Sequence, residues 1–409
     1  MKKIQTKKFI DNSVLVRSLL PLNRATITYY NVLVFMLKAK TKEFDTKQKL
    51  SVALNHAYGM QVSYGLTGYG KQVALDVRFR YIRPEFVDDP GYIDEVVHIM
   101  DQILNDPLLD ESSFEEAKYL LSSRLRRQND DPDSLALKKA LELAGKETSI
   151  AIPVQGYLDE IGTIEYDRLL SLYEQWKTIG KIVYGCGSFD EKVMSFLDSL
   201  KKESAIRLET NQLEPGSPSF ETIEKNISQT SIVQVYSTST NVCSKDYYAL
   251  LLLNSILGQS SMSLLFNNVR EKHSLCYSIS SSLIRFDGAL CISTGTSAAS
   301  MDECIRLIDE QIKVCADGCF TDEELEVARM DLIDMYRRQQ DRPWAMIEQV
   351  FLDEVLRRSD TMQDRIERIS SITKEQISEI GKRLSLVSMA VVKEAVSYTH
   401  LTLPTNSLV

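Results

Sequence analysis

The stretch FEEAKYLLSSRLRRQNDDP (residues 114–132) returns 211 positions later, without a gap, as LEVARMDLIDMYRRQQDRP (residues 325–343). Ala117 matches Ala328, Arg126 and Arg127 match Arg337 and Arg338, Asp130 matches Asp341, and Pro132 matches Pro343. Apolar residues recur at helical spacing (Phe114, Ala117, Leu121, Leu125 in the first copy), and the proline stops the helix. The starts correspond as well. Asp110 and Thr321 stand at the N-cap, with Leu109 or Phe320 before and Phe114 or Leu325 four residues on, a hydrophobic staple in both copies. A duplicated unit is the reading that follows.

Outward from this pair, residues 13–30 are expected to form one or two strands, VLVRSLL and then ATITYY. The apolar run 31–38 follows, then a helix capped by Thr46 over Leu50, Val52, Ala53 and Leu54. Alternation at Met60, Val62 and Tyr64, a GLTGYG turn (65–70), and Val73, Leu75, Val77 and Phe79 predict a hairpin with one buried face. Strands on both sides of that turn argue against a phosphate loop, in which strand leads to helix. Helices to about residue 177, a strand over 181–187 and a helix over Val193, Phe196 and Leu197 complete the half.

The second half repeats the order. An apolar helix (250–257), a break at Gly258-Gln259-Ser260-Ser261, and a second helix through Leu264, Leu265, Phe266 and Val269 lead to a hairpin with an Asp287-Gly288 turn. ISSITKEQI (369–377) mirrors IGTIEYDRL (161–169), and LVSMAVV (386–392) mirrors KIVYGCG (181–187). The expected fold class is α+β, with two homologous domains, each a mainly antiparallel sheet faced by helices. The expected bounds are 1–207 and 223–395, joined by the polar, Pro- and Gly-containing linker 208–222. Residues 396–409 have no charge and no helical period. Residues 396–405 resemble the translation of a sequencing-library adapter, so this tail, with His400, is expected to be an artefact rather than a C-terminal strand.

Composition narrows the function. The chain has 409 residues, 44% hydrophobic and 26% charged, with a net charge of −9. No basic stripe points to nucleic acid, and no apolar run approaches the roughly 20 residues that span a bilayer. Seven cysteines form no CxxC pair, which fits buried free thiols in a reducing cytoplasm. His56, His98 and His273 are scattered, and His98 lies among Asp94, Glu95, Asp101 and Gln102 at helical spacing, a solvated face. Cys276 near His273 is expected to be a buried thiol. Asp130, Asp131 and Asp341 are expected to be helix-terminal polar residues.

The motif LLFNNVREKHSLCYSIS (264–280) resembles the second-half pattern L-F-x-x-x-R-E-x-x-G-L-x-Y-S of the insulinase/pitrilysin zinc peptidases, with Ser274 in place of the glycine. The resemblance extends over nearly all of residues 1–395 and implies two halves that clamp a substrate chamber. It maps the family's substrate-gripping pair onto Arg270 and Tyr277. Active members also carry H-x-x-E-H, because two histidines on one helical face hold zinc while the glutamate takes a proton from the metal's water. The resemblance puts that motif at Asn31-Val32-Leu33-Val34-Phe35, where neither histidine nor the glutamate survives. The distal glutamate falls near Ser123 or Arg124.

The degenerate positions Asn31, Val34 and Phe35 imply no metal on this chain, with zinc expected only in a partner. The first expectation is therefore a non-catalytic subunit that docks a motif-bearing paralogue, or a second copy of itself, and offers Arg270 and Tyr277 to extended peptides. Among such proteins the first half most resembles a bacterial type associated with elongation factor P modification. A scaffold that binds peptides by strand addition is the alternative, and an independent zinc peptidase a further one. Arg270 paired to a carboxylate and Tyr277 filling core would be the purely structural reading.

Overall fold

The computed structural model describes residues 1–146, 148–200, 202 and 206–395. The first half contains β1 (Lys2–Gln5), β2 (Asp11–Pro21), α1 (Arg24–Leu37), α2 (Lys47–His56), β3 (Gln61–Tyr69), β4 (Gln72–Ile82), α3 (Tyr92–Asn105), α4 (Glu111–Asp130), α5 (Pro132–Gly145), α6 (Tyr166–Thr178), β5 (Ile182–Gly187) and α7 (Glu191–Ser199). The second contains β6 (Ser219–Lys225), β7 (Thr230–Ser237), α8 (Tyr247–Asn254), β8 (Cys276–Ile284), β9 (Ala289–Thr296), α9 (Met301–Asp317), α10 (Asp322–Gln339), α11 (Pro343–Val355), α12 (Met362–Ser371), α13 (Lys374–Gly381) and β10 (Ser385–Glu394).

The sheets have orders β1-β5-β2-β4-β3 and β6-β10-β7-β9-β8, so each strand has its counterpart in the other half. Among the described strands, β1/β5 and β6/β10 pair in parallel and the other neighbours pair antiparallel. The predicted α+β duplication is therefore present at the level of topology. Helices α4 and α10 begin at the equivalent caps. Asp110 Oδ1 accepts from Ser113 N at 2.9 Å, and Thr321 and Glu324 satisfy each other's backbone N–H groups.

The halves exchange helices. Val14, Val16 and Leu20 of β2 pack into the first half's own core, while Leu15 faces a cluster containing Ile347 and Phe351 of α11. Reciprocally, Ala136 and Ala140 of α5 pack on Val233 and Val235 of β7 and on Ala390 and Val392 of β10. Both sheet faces are thus covered at the centre, which explains why β5 and β7 are buried at every residue. At one junction the buried Arg17 of β2 donates to Asp76 (2.7 and 2.9 Å) and to Glu348 of α11 (3.0 Å). Tyr69 donates to the other oxygen of Glu348 at 2.6 Å.

Four expectations are corrected. ATITYY is not a strand; it forms the first turns of α1, capped by Asn23, whose Oδ1 accepts from Ala25 N at 2.8 Å. Burial of Ile27 and Tyr30 outweighs the strand preference of their side chains. The GLTGYG segment is mostly strand: β3 runs through Tyr69, and the turn is Gly70-Lys71, with Gly70 at φ +59°. A Cβ there would meet Glu209 O at 2.5 Å. The stretch read as linker is tied down between the hairpin turns, with Lys71 N donating to Glu209 O (3.0 Å) and Asn211 N to Phe286 O (2.8 Å). Strand β6 starts at Ser219, inside that stretch. Finally, Cys243 and Cys319 are exposed, whereas the other five thiols are buried. The tail assigned as an artefact, 396–409, lies outside the described residues. No helix among the described residues is long and apolar enough to cross a membrane.

Candidate functional site

Helix α1 is inside the protein. Asn31 is 4% exposed, and its Nδ2 donates to Ile27 O at 2.9 Å and to Val154 O at 2.8 Å. The second bond pins the segment 152–157 against α1. Tyr157 N adds a bond to Thr28 Oγ1 at 3.1 Å, and Thr28 donates to Glu160 at 2.7 Å. Val34 is buried, and the ring of Phe35 lies beneath Lys38 Nζ at 4.0 Å. Burial pushes the Lys38 amine down, helped by the charges of Arg124 and Lys47. Zinc requires nitrogen, sulfur or carboxylate donors about 2 Å from the ion. Val34 and Phe35 supply none, the Asn31 amide is already engaged, and the charge over Phe35 is the cation of Lys38. These residues do not fit the metal. Among the described residues no group of three His, Cys, Asp or Glu side chains is arranged to hold one elsewhere.

The corner carrying Arg270 and Tyr277 is built differently from its sequence reading. After α8 the chain takes a wide π-type turn over Ser255–Gln259, breaks, and takes a second over Phe266–Glu271. Arg270 ends that turn with its guanidinium 4.7 Å from the Phe266 ring and 3.6 Å from Glu271. Ser274 then adopts φ +53°, in the left-handed region that a glycine enters without strain. Strand β8 bulges between Cys276 and Ser278, which pair with the adjacent Thr296 and Gly295. Tyr277 is the extra residue, and the bulge turns it out, 84% exposed. It does not fill core.

Cys276 lies behind this corner, 8% exposed. Its thiol is lowered to about 7 by a hydrogen bond with Cys304, against the opposing effect of burial, with help from Thr294 and Arg270. Arg270 lies in the turn that leads into β8, and Tyr277 lies at the start of that strand. The structure does not bring them into hydrogen-bonding, ionic or ring contact with Asn31, Val34 or Phe35, among the described residues.

Residues 163–332 match the peptidase M16 inactive domain model. Over that span the chain is similar to the peptidase M16 inactive-domain family. It is 24% identical over 395 residues to the probable inactive metalloprotease YmfF of Bacillus subtilis (strain 168), covering 94% of this chain and 93% of that protein. Among solved structures it is similar to a conserved protein from Enterococcus faecalis V583 (TM-score 0.89, 23% identity, 96% of both chains). It also resembles a peptidase M16 inactive domain from Pseudomonas fluorescens (TM-score 0.79, 15% identity, 96% of this chain and 95% of that one).

The informative residues include some that the sequence did not single out. Asn31 was noted only for what it lacks, yet it anchors a loop. Thr28 and Glu160 share that task, and only their distance in sequence hid them. Arg17 carried a visible signal, a lone cation inside VLVRSLL, which in a strand buried on both faces demands a buried partner. His98, by contrast, is where its neighbours put it: half exposed, with Nε2 2.9 Å from Glu43. Asp131 caps α5 by accepting from Ser134 N at 3.0 Å.

Proposed function

We propose that this M16 pseudopeptidase is the non-catalytic subunit of a pair, docking a paralogue that carries H-x-x-E-H and presenting Arg270 and Tyr277 to a shared peptide chamber. The observation that supports it most is the contrast between the two corners. The motif face of α1 is packed and pinned, whereas a bulge holds Tyr277 out in solvent and the partly exposed Arg270 has only a loose local partner in Glu271. Arg supplies a forked donor array and Tyr a directed hydroxyl, groups suited to a peptide carbonyl whose oxygen gains charge. Zinc, in this reading, belongs to the partner. A cytoplasmic setting and a link to elongation factor P modification are part of the same proposal and rest on the resemblance alone.

The test is co-expression with a motif-bearing M16 relative encoded beside this gene. A stable complex of one chain of each supports the proposal; two species that migrate independently overturn it. A peptide-binding scaffold without any proteolytic role is the second reading, favoured by the position of β8 at the edge of its sheet. Under that reading Arg270→Ala leaves peptide binding intact.

A further inference from the structure

Between α5 and the pinned segment 148–157 lie two adjoining cavities, of about 700 and 360 Å³, which share Asn129, Lys138, Ala151 and Ile152 in their walls. The larger is lined by four cations, Arg24, Lys138, Lys139 and Lys146, and by two carboxylates, Glu142 and Asp159. In a chain of net charge −9 this is a local reversal of sign. The cations are only partly satisfied. Glu142 serves both Lys138 (4.0 Å) and Lys139 (3.0 Å), Arg24 leans on Glu160 (3.2 Å), and Lys146 has no ion-pair partner among the described residues. The smaller cavity is apolar along Leu137, Leu141, Ile150, Ile152 and Val154.

The duplication makes the apolar part informative. Leu137 of α5 and Glu348 of α11 occupy equivalent positions, 211 residues apart. Glu348 is consumed by the junction with Arg17 and Tyr69, whereas Leu137 is 37% exposed at the mouth of a cavity. The same position closes one junction and leaves the other open. The wall opposite Leu137 cannot collapse inward, because Asn31 and Thr28 hold its backbone at Val154 and Tyr157.

We propose that this two-part cleft is a receptor for an extended peptide that carries a carboxylate side chain beside a bulky apolar one, the acid in the lysine-lined part and the apolar group against Leu137 and Ile152. The proposal rests on the peptide-binding role above and adds a second contact region, whose walls include neither Arg270 nor Tyr277. Charge complementarity selects the acid, and burial of the apolar side chain supplies contact area.

The experiment uses the purified full chain and fluorescently labelled decapeptides in an anisotropy titration. One peptide alternates Glu with Leu and Phe, a second replaces Glu with Lys, and a third replaces Leu and Phe with Ser. The first binds at least tenfold more tightly than the other two, and weakens further between 50 and 300 mM salt, as exposed charge pairing is screened. In Lys138→Gln/Lys146→Gln its affinity falls about tenfold, with an unchanged circular dichroism spectrum. Equal binding of the Glu and Lys peptides, unchanged affinity in the variant, or no binding of any peptide overturns the proposal. The pairing itself is judged separately by co-expression, which does not involve this cleft.

Discussion

Asp76→Ala removes one half of a fully buried ion pair. Arg17 and Asp76 are both 0% exposed, and the guanidinium makes two bonds to Asp76 and one to Glu348. It also stacks 4.2 Å from the Phe351 ring of α11. Removing Asp76 leaves the cation with Glu348 alone, whose side chain is 31% exposed and so compensates only in part. Breaking a buried pair from one side costs about 3–5 kcal/mol, since the surviving charge stays desolvated. Replacing both ends with apolar groups removes that penalty, so Arg17→Met/Asp76→Leu is expected to lie within about 1–2 kcal/mol of the wild type. Urea unfolding of the wild type and of the two variants measures both values. A single-variant loss below about 1 kcal/mol would refute the assignment of Arg17 and Asp76 as a desolvated ion pair between β2 and β4. A double variant as unstable as the single would contradict the desolvation argument.

Other outcomes follow from the same geometry. Ser274→Gly relieves about 1–2 kcal/mol of left-handed strain against about 0.5–1 kcal/mol of added backbone entropy, for a small net gain in urea stability; a loss would mean the hydroxyl, not the backbone, sets this turn. Asp110→Ala and Thr321→Ala each remove a helix cap and cost about 1 kcal/mol, measured by denaturation. Burial alone would raise the Asp110 carboxyl, but hydrogen bonds from Lys40 and Ser113 prevail and hold it below the usual range. Its contribution is therefore complete above about pH 4, the unfolded value, and fades as pH falls further, so the Asp110→Ala deficit shrinks in acid. Native maleimide labelling, read by mass spectrometry, modifies Cys243 and Cys319 first, while Cys291 and Cys315, pushed up to about 12 by burial, react only after unfolding.

The duplication was legible because a helix with its cap, its stripe and its terminating proline is a local pattern that survives divergence. The exchange of α5 and α11 between halves was not, because helix amphipathicity names a buried face without naming what buries it. Its trace was VLVRSLL, apolar on both sides of the strand. The β-branched ATITYY misled for a related reason: strand preference is a weak bias, and the caps and burial of α1 override it. At the site, sequence placed Arg270 and Tyr277 on one corner, but the bulge that exposes Tyr277 depends on pairing with β9. Likewise the anchoring role of Asn31 depends on a partner 123 residues away, which no local pattern shows.

The most direct measurement is peptide turnover by the reconstituted pair, with Arg270→Ala or Tyr277→Phe introduced in this chain only. If these side chains grip the reacting peptide in the partner's zinc site, each variant lowers kcat by about 100-fold or more, the equivalent of about 3 kcal/mol, while complex formation is unchanged. Full turnover by both variants in an intact complex would contradict the account.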